Sequence, residues 1–396
     1  MDFRFTEEEE AFRKEVREWL AKEIPPRWIE LDPWLWEETD ESWSLSREFQ
    51  HKLGQKGWLA PAYPRKYGGL EMSHIKRLIL GEEIAYSGAP FGVEAEISVN
   101  WVGPTILLYG TEEQKDKYVK GVAKGDTVFC LGYSEPNAGS DLASLETRAV
   151  EDGDEYVING DKIWTSFAHY ADYCWLAART DPDAPKHRGM SMFVVDMKAP
   201  GITVQPIINI LNQHSFNEVF FDNVRIPKEN LIGEKNKGWY QLMVALDFER
   251  SPIDLPTVIG RLIEELVQYC QETKRNGEVL AKNPLIRNQL AQMAIENEVG
   301  RMMSYRLAWM YSANIHPSYE ASMTLLFASE LMRRLANVAM HILGPYGQLE
   351  MDSKWAVLKA RVMRLCLNSL SIGVGGGSNE IQRTIIATRG LGLPRK

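Results

Sequence analysis

The chain is poor in cysteine and has no long apolar run. Four cysteines, Cys130, Cys174, Cys270 and Cys366, are scattered over 396 residues. None has the spacing of a zinc site or a redox pair, so no disulfide framework or thiolate metal centre can be argued. A reducing compartment is the natural setting. No uninterrupted apolar stretch reaches the roughly 20 residues that a membrane-spanning helix needs, so insertion into a membrane is not expected. Basic runs are missing too. The formal net charge is −9 at pH 7, which argues against nucleic-acid binding, because that needs a basic face to neutralise phosphates. A small basic pocket for a phosphorylated ligand stays open. The opening MDFRFTEEEE is acidic where a signal or transit peptide would be basic, and a cytoplasmic protein is expected. Repeats and low-complexity segments are likewise absent.

What is present is ordinary globular composition, 44% hydrophobic and 25% charged, over a length that suggests two or three domains. The first segment, 1–125, reads as helical. Thr6 and Glu9 form a capping-box pattern, followed by an apolar stripe at Phe12, Val16, Trp19 and Leu20; Pro25 and Pro26 end it. Further helices are expected over Ser44–Lys56, Ser73–Ser87 and Glu112–Lys124. Segment 126–236 changes character. Asp126–Tyr133, Glu155–Trp164, Tyr173–Arg179, Met190–Met197, Ile202–Ile207 and Asn217–Ile226 are short, β-branched or aromatic, and bounded by turn residues, which predicts a small antiparallel barrel or sandwich. Segment 237–396 returns to helical spacing over Trp239–Arg275, Pro284–Ile315 and Tyr319–Leu343, as in a bundle. A flexible glycine loop, Gly373 to Gly377, then precedes a helical stretch, Ser378–Arg389.

Two constellations carry chemistry. Leu131-Gly-Tyr-Ser-Glu-Pro-Asn-Ala-Gly-Ser-Asp141 lies at a strand end, where Pro136 and Gly139 force a compact loop with exposed donors. It can be an inter-strand turn or a cradle for a heterocycle or phosphate. Lys162-Ile-Trp-Thr-Ser166 ends another strand. A Trp flanked by hydroxyls can be core, or can pack on a planar cofactor while a hydroxyl bonds its ring nitrogen.

Together these segments resemble the acyl-CoA dehydrogenase family. Ser134–Asp141 is similar to its T-E-P-x-A-G-S-D loop and Lys162–Ser166 to its K-x-W-[IT]-[ST] flavin strand. Phe221–Pro227, Gly233…Gly238-Trp239 and Glu380-Ile-Gln-Arg383 resemble three further family segments, in order along nearly the whole chain. The resemblance implies an α+β, mainly α fold: an N-terminal helical domain, a middle β domain and a C-terminal four-helix bundle. It implies FAD, with Tyr133 and Ser134 lining the flavin, Trp164 against the isoalloxazine, Ser166 bonding its N5 edge, and Ser378 and Glu380 approaching from the C-terminal loop. Ser140 would serve both FAD and the phosphopantetheine of CoA. Arg275, in Thr273-Lys-Arg-Asn-Gly277, stands where the family often has R-x-x-F-G. His341 and Gly344, in His341-Ile-Leu-Gly-Pro-Tyr-Gly347, stand in the Q-x-x-G-G-x-G segment, where His341 replaces a glutamine that touches FAD and Pro345 a glycine. His341 is equally readable as a buried helix histidine.

The reaction needs a base for the proton beside a thioester carbonyl. The family's common Y-E-G-[TS] base position reads Gly375-Gly376-Gly377-Ser378 here, and glycine accepts no proton. Isovaleryl-type and long-chain-type members carry the base on the first bundle helix in a D-x-E-R pattern, matched by Asp247-Phe-Glu-Arg250. Glu249 is the expected base. Neighbours on a helix point about 100° apart, so Arg250 can address CoA while Glu249 faces the acyl α-carbon. A glycine loop bordering the substrate at Gly376 leaves room for a bulky, branched, cyclic, aromatic or dicarboxylic acyl group. Pro90–Glu96 lacks the arginine of glutaryl-type members. The implied partners are an acyl-CoA substrate, an electron-transfer flavoprotein, and other subunits, either in a homotetramer built as a dimer of dimers or in a heteromer with a related subunit, where Glu249 would make this chain the catalytic one. A non-dehydrogenase, DNA-associated relative would need the basic patch that is missing.

Overall fold

A computed structural model describes residues 4–30, 39–249 and 253–394, with 244–249 described as helical backbone only. The chain forms two compact units. One collects its described residues from 39–72 and Pro90–Glu249, the other from 4–30, Ser73–Ala89 and 253–394.

The first unit is built on a sheet of eight strands: β1 (Phe129–Gly132), β2 (Arg148–Asp152), β3 (Glu155–Lys162), β4 (Tyr173–Arg179), β5 (Met190–Asp196), β6 (Ile202–Ile207), β7 (Phe216–Pro227) and β8 (Leu231–Ile232). The order is β6-β7-β3-β2-β4-β5-β8, with β1 also on β4. The β1–β4 and β2–β4 pairings are parallel and the rest antiparallel. β4 and β5 are buried along nearly their whole length, the pattern of a strand covered on both faces. Tyr156, Ile158, Leu176, Phe193, Val195, Val219, Phe221 and Val224 form the core. β2 escapes the sequence reading because four of its five residues are exposed and only Ala149 points inward, so no apolar alternation marks it. β3 bends at a bulge beside Gly160, whose φ is +148°; a Cβ there would lie 2.7 Å from Thr147 Cα.

Helices complete this unit. Asp40–Gln55 starts four residues before the expected Ser44, because Thr39 caps it: Thr39 Oγ1 accepts from Ser42 N and Ser42 Oγ accepts from Thr39 N. Val93–Glu96, Ile97–Val102 and Gly103–Tyr109 run on as one rod with a π-helical middle, which the sequence reading did not identify. That π segment packs on β1 and on the helix Gly238–Glu249.

The second unit is helical. Glu7–Glu23 begins at the Thr6–Glu9 capping box read from the sequence, and a short turn, Pro26–Glu30, follows it. Asp254–Glu272, Pro284–Ser312, Glu320–Leu343 and Arg361–Ile372 pack around Ile259, Leu262, Leu266, Leu290, Met293, Leu331 and Leu335, the four-helix arrangement expected. The single helix predicted over Trp239–Arg275 is two, Gly238–Glu249 and Asp254–Glu272. The intervening sequence contains Ser251-Pro252, and the residue before proline disfavours helix. Lys274–Arg275 and Glu278–Val279 form a hairpin whose Asn276-Gly277 turn has positive φ at both residues, the signature of a type I′ turn.

The helices Glu7–Glu23, His74–Ser87 and Pro284–Ser312 meet at a shielded charge cluster. Glu82 accepts from Arg13 at 2.6 Å, from Arg301 at 2.6 Å and from the Tyr305 hydroxyl at 2.8 Å. Removing the carboxylate takes the shortest ion pair from both guanidinium groups, leaving Arg13 with Glu83 at 3.2 Å and Arg301 with Glu298 at 3.2 Å. Glu82→Ala is expected to destabilise this unit by on the order of 3 kcal/mol, read by urea unfolding, and Arg301→Met in the same chain should return part of the loss.

Candidate functional site

The strand ends of β1 and β3 are joined through a fully enclosed ion pair. Lys162 Nζ lies 2.7 Å from Glu135 Oε1 and donates to the Tyr133 carbonyl at 3.1 Å; Lys162 has no exposed surface and Glu135 very little. Glu135 also accepts from the backbone N–H of Glu146 at 2.6 Å and of Thr147 at 2.9 Å. Burial pushes the Glu135 pKa up, but the ammonium and these donors outweigh it and hold the carboxyl below its ordinary value. Burial lowers Lys162 and Glu135 opposes that shift. Reciprocal 3.0 Å backbone bonds between Glu135 and Ala138 close the turn. Pro136, Asn137, Gly139 and Ser140 are left at the surface. Asp141 is held by Lys186 at 2.7 Å.

The second segment is tied to the first, since Ile163 N donates to Ser134 O at 2.9 Å. Beyond it the backbone turns sharply. Trp164 has φ +60° and Phe167 φ +55°, a costly conformation for large side chains. Trp164 is nonetheless 58% exposed, which core packing does not explain. Thr165 Oγ1 is buried and has no hydrogen-bond partner among the described residues. Tyr133, Ser134 and Ser166 are half-buried. The structure thus brings Tyr133, Ser134, Trp164 and Ser166 to one edge of this unit, with Ser140 on the same loop.

The remaining candidates stand on the other unit. Arg275 begins the Asn-Gly turn and donates to Ile342 O at 2.7 Å, a cation at the C-terminal end of Glu320–Leu343, where the helix dipole favours it. His341, in the last turn of that helix, is exposed, so the buried-histidine reading does not hold. Gly344 has φ +61° and ψ −137°, a backbone that only glycine adopts at ease. Its Cα faces Arg275, whose Nη2 would lie 3.8 Å from a Cβ. Ser378 caps Asn379–Ile385 by accepting from Ile381 N, and Glu380 is exposed in its first turn. The backbone of that turn, together with Ser378, lowers the Glu380 pKa.

The glycine loop is more constrained than the expected flexible segment. Gln382, fully buried, donates to the carbonyls of Gly376 at 3.1 Å and Gly377 at 2.9 Å, and Asn379 N donates to Gly373 O at 2.9 Å. Glu249 is the last residue of the helix Gly238–Glu249. Arg250 lies outside the described residues.

These surfaces fit FAD. An exposed indole held in a strained turn suits stacking on a flat ring, the buried hydroxyl of Thr165 has an unused donor, and a Cβ at Gly139 would meet nothing within 4 Å. Glu135, Lys162 and Thr165 stand inside the two motifs without a role that the sequence assigns them, and nothing local marks Gln382. A carboxylate and a lysine each at the end of an apolar strand was the available signal.

Comparison with known proteins covers the chain end to end. The acyl-CoA dehydrogenase N-terminal domain matches residues 6–126, the middle domain 130–224 and the C-terminal domain 236–391. Acyl-CoA dehydrogenase FadE26 of Mycobacterium tuberculosis is 37% identical over 100% of this chain and 99% of its own. The solved Tcur3481-Tcur3483 steroid ACAD is 36% identical, with TM-score 0.90 over 100% of both chains. The ChsE4-ChsE5 complex of M. tuberculosis is 36% identical, with TM-score 0.89 over 100% of both.

Lys162→Met leaves the Glu135 carboxylate buried and uncompensated, and is expected to cost about 3–5 kcal/mol. Because the folded pKa of Glu135 is lowered, its contribution is present above the unfolded carboxylate value of about 4.3 and is lost as pH falls through the folded value. Denaturant unfolding from pH 7 downward should show this acid-limb loss in the wild type. A Lys162→Met/Glu135→Leu double variant should lack it and regain much of the lost stability.

Proposed function

Because the chain belongs to the acyl-CoA dehydrogenase family, and is an FAD-dependent oxidoreductase acting on acyl-CoA, we propose that it oxidises a bulky, cyclic acyl thioester with Glu249 as its base. One observation carries the reading. At the place of the family's tyrosine and glutamate the chain has Gly375 and Gly376, and a Cβ at Gly375 would meet nothing within 4 Å. The loop therefore supplies space and no proton acceptor.

The chemistry then divides among named residues. Glu249 takes the proton from the carbon beside the thioester carbonyl, while Arg250, next on the chain, addresses the CoA portion. FAD, when bound, supplies the acceptor for the hydride from the adjacent carbon, and the product is the 2-enoyl-CoA. Tyr133, Ser134, Trp164 and Ser166 hold the flavin; Ser140 serves both its cradle and the pantetheine; Arg275, His341, Gly344, Ser378 and Glu380 supply further cofactor contacts. Gly376 borders the acyl group. A carboxylate serves as base when desolvation raises its proton affinity.

The steroid ACAD named above supports a fused-ring or similarly wide acyl group for this chain, and Pro90–Glu96 offers no arginine for a short diacid. The two solved relatives are each named as a pair of chains, which favours a heteromer with a related subunit over a homotetramer. Glu249 makes this chain the catalytic member. An electron-transfer flavoprotein would reoxidise it.

The test is an anaerobic titration of the purified protein with straight, branched, aromatic, steroidal and dicarboxylic acyl-CoAs, following the visible flavin absorbance. Steroidal or other cyclic thioesters should bleach it, and Glu249→Gln should abolish bleaching while leaving the oxidised spectrum in place. Turnover of butyryl-CoA far above any bulky thioester sinks the substrate reading. Full bleaching in Glu249→Gln sinks the base.

A further inference from the structure

Behind the exposed Trp164 turn lies a polar arrangement that the reaction chemistry does not use. Asn217, near the start of β7, has no exposed surface. Its backbone exchanges two bonds with Thr165, N–H to carbonyl in both directions, at 2.9 and 3.0 Å. Its side-chain Nδ2 donates to the same Thr165 carbonyl at 3.0 Å and sits 3.1 Å from His169 Nδ1, while its Oδ1 sits 2.7 Å from His214 Nε2. The two imidazole rings are stacked, with centroids 3.8 Å apart and planes 16° from parallel.

The partners of the Asn217 amide fix the protons at its three contacts. Flipping the Asn217 amide would set its oxygen against the Thr165 carbonyl, acceptor against acceptor, so the amide has one orientation. Nδ2 has only protons to offer, so His169 Nδ1 carries a lone pair and its proton is on Nε2. Oδ1 only accepts, so His214 Nε2 carries its proton. His169, with a lone pair at Nδ1, is a neutral imidazole. Burial, followed by the adjacent His214, pushes the His169 pKa down to about 4. The asparagine amide thus uses all three of its bonds, two on histidines and one on the turn.

That turn is the one whose backbone needs support. Positive φ at Trp164 and Phe167 persists only where surroundings over-determine it. Phe167 N is held from the same side by Ser215 O at 3.0 Å, and Ser215 Oγ is itself held by Asn209 Nδ2 at 2.9 Å.

We propose that Asn217, locked by the stacked pair His169 and His214, is the positioning residue that sets the Trp164–Ser166 turn and through it the environment of the bound flavin. The proposal rests on the reading of Trp164 and Ser166 as flavin contacts. Asn217 touches neither cofactor nor substrate; it acts through the Thr165 carbonyl.

The experiment uses the FAD-loaded enzyme and reads the visible flavin band, the flavin midpoint potential and the FAD dissociation constant, with thermal unfolding of each variant as the control for folding. Asn217→Asp keeps the shape and turns the donor into an acceptor facing Thr165 O. It should shift the band and potential and weaken FAD binding about tenfold, the scale of one or two lost buried bonds. His169→Leu should shift the band in the same direction, whereas His169→Gln, which keeps an acceptor for Asn217, should stay near the wild type. If Asn217→Asp fails to fold, the His169 pair decides: a wild-type band in both overturns the proposal. A folded Asn217→Asp with unshifted band, potential and affinity overturns it directly. Trp164→Phe separates the layers. If it alters the flavin band while Asn217→Asp does not, the positioning role of Asn217 is wrong and the flavin reading stands. If Trp164→Phe alters nothing, the flavin reading fails first.

Discussion

A lysine with no exposed surface paired to an almost fully buried glutamate is an expensive thing to fold around, since each charge gives up water. Here the expense is offset by saturation. Glu135 receives Lys162 and two backbone N–H groups, and Lys162 also reaches the Tyr133 carbonyl. The partners come from the end of β1, the end of β3 and the chain entering β2, so one pair fixes three backbone segments at once. A hydrophobic pair of equal volume would fill the space but would not dictate which carbonyls and amides meet. The loop 134–141 and the turn 163–167 then follow from it, because Ile163 is bonded back to Ser134.

The rigid frame explains why the unit can carry features that would otherwise be faults. A tryptophan in left-handed backbone and a buried hydroxyl without a partner each oppose folding. Both sit within three residues of Lys162. The exposed Trp164 ring and the half-buried Ser134 and Ser166 beside it are the groups the proposed flavin site uses. On the other unit a similar economy holds the second set of residues. A two-residue Asn-Gly turn aims Arg275 at the end of Glu320–Leu343, and one buried glutamine holds two carbonyls of the glycine loop.

Much of this was legible in the sequence wherever a local signal coincided with a tertiary one. The Thr6–Glu9 cap states a helix start, and the apolar runs of β4 and β5 and the stripe of Asp254–Glu272 state their burial, in residue types. β2 was not legible, because an exposed strand with one inward alanine has no pattern to read. The break between Glu249 and Asp254 and the Asn276-Gly277 hairpin did carry sequence signals, but each lies inside or beside a long helical pattern that outweighed it. For the site, Trp164 and Ser166 could be selected as cofactor contacts because their motif is local. Asn217, His169 and His214 are brought together by strand pairing across some 50 residues, and no spacing in the chain announces that.

The glycine loop bears on the proposed placement of the base on a helix. Gly376 and Gly377 have φ +67° and +92°, a region that costs an L-residue about 1–2 kcal/mol, and their carbonyls are already committed to Gln382. A glutamate at 376 would have to be accommodated against that strain, and would fill the space that the bare loop leaves. With the proton acceptor placed at Glu249, as proposed, the loop needs no acid–base group, and its shape is set by Gln382. A loop whose carbonyls are held by Gln382 and that carries no side chain at 375–377 leaves open the space a glutamate would fill, which is what a wide acyl group needs under the proposed reading.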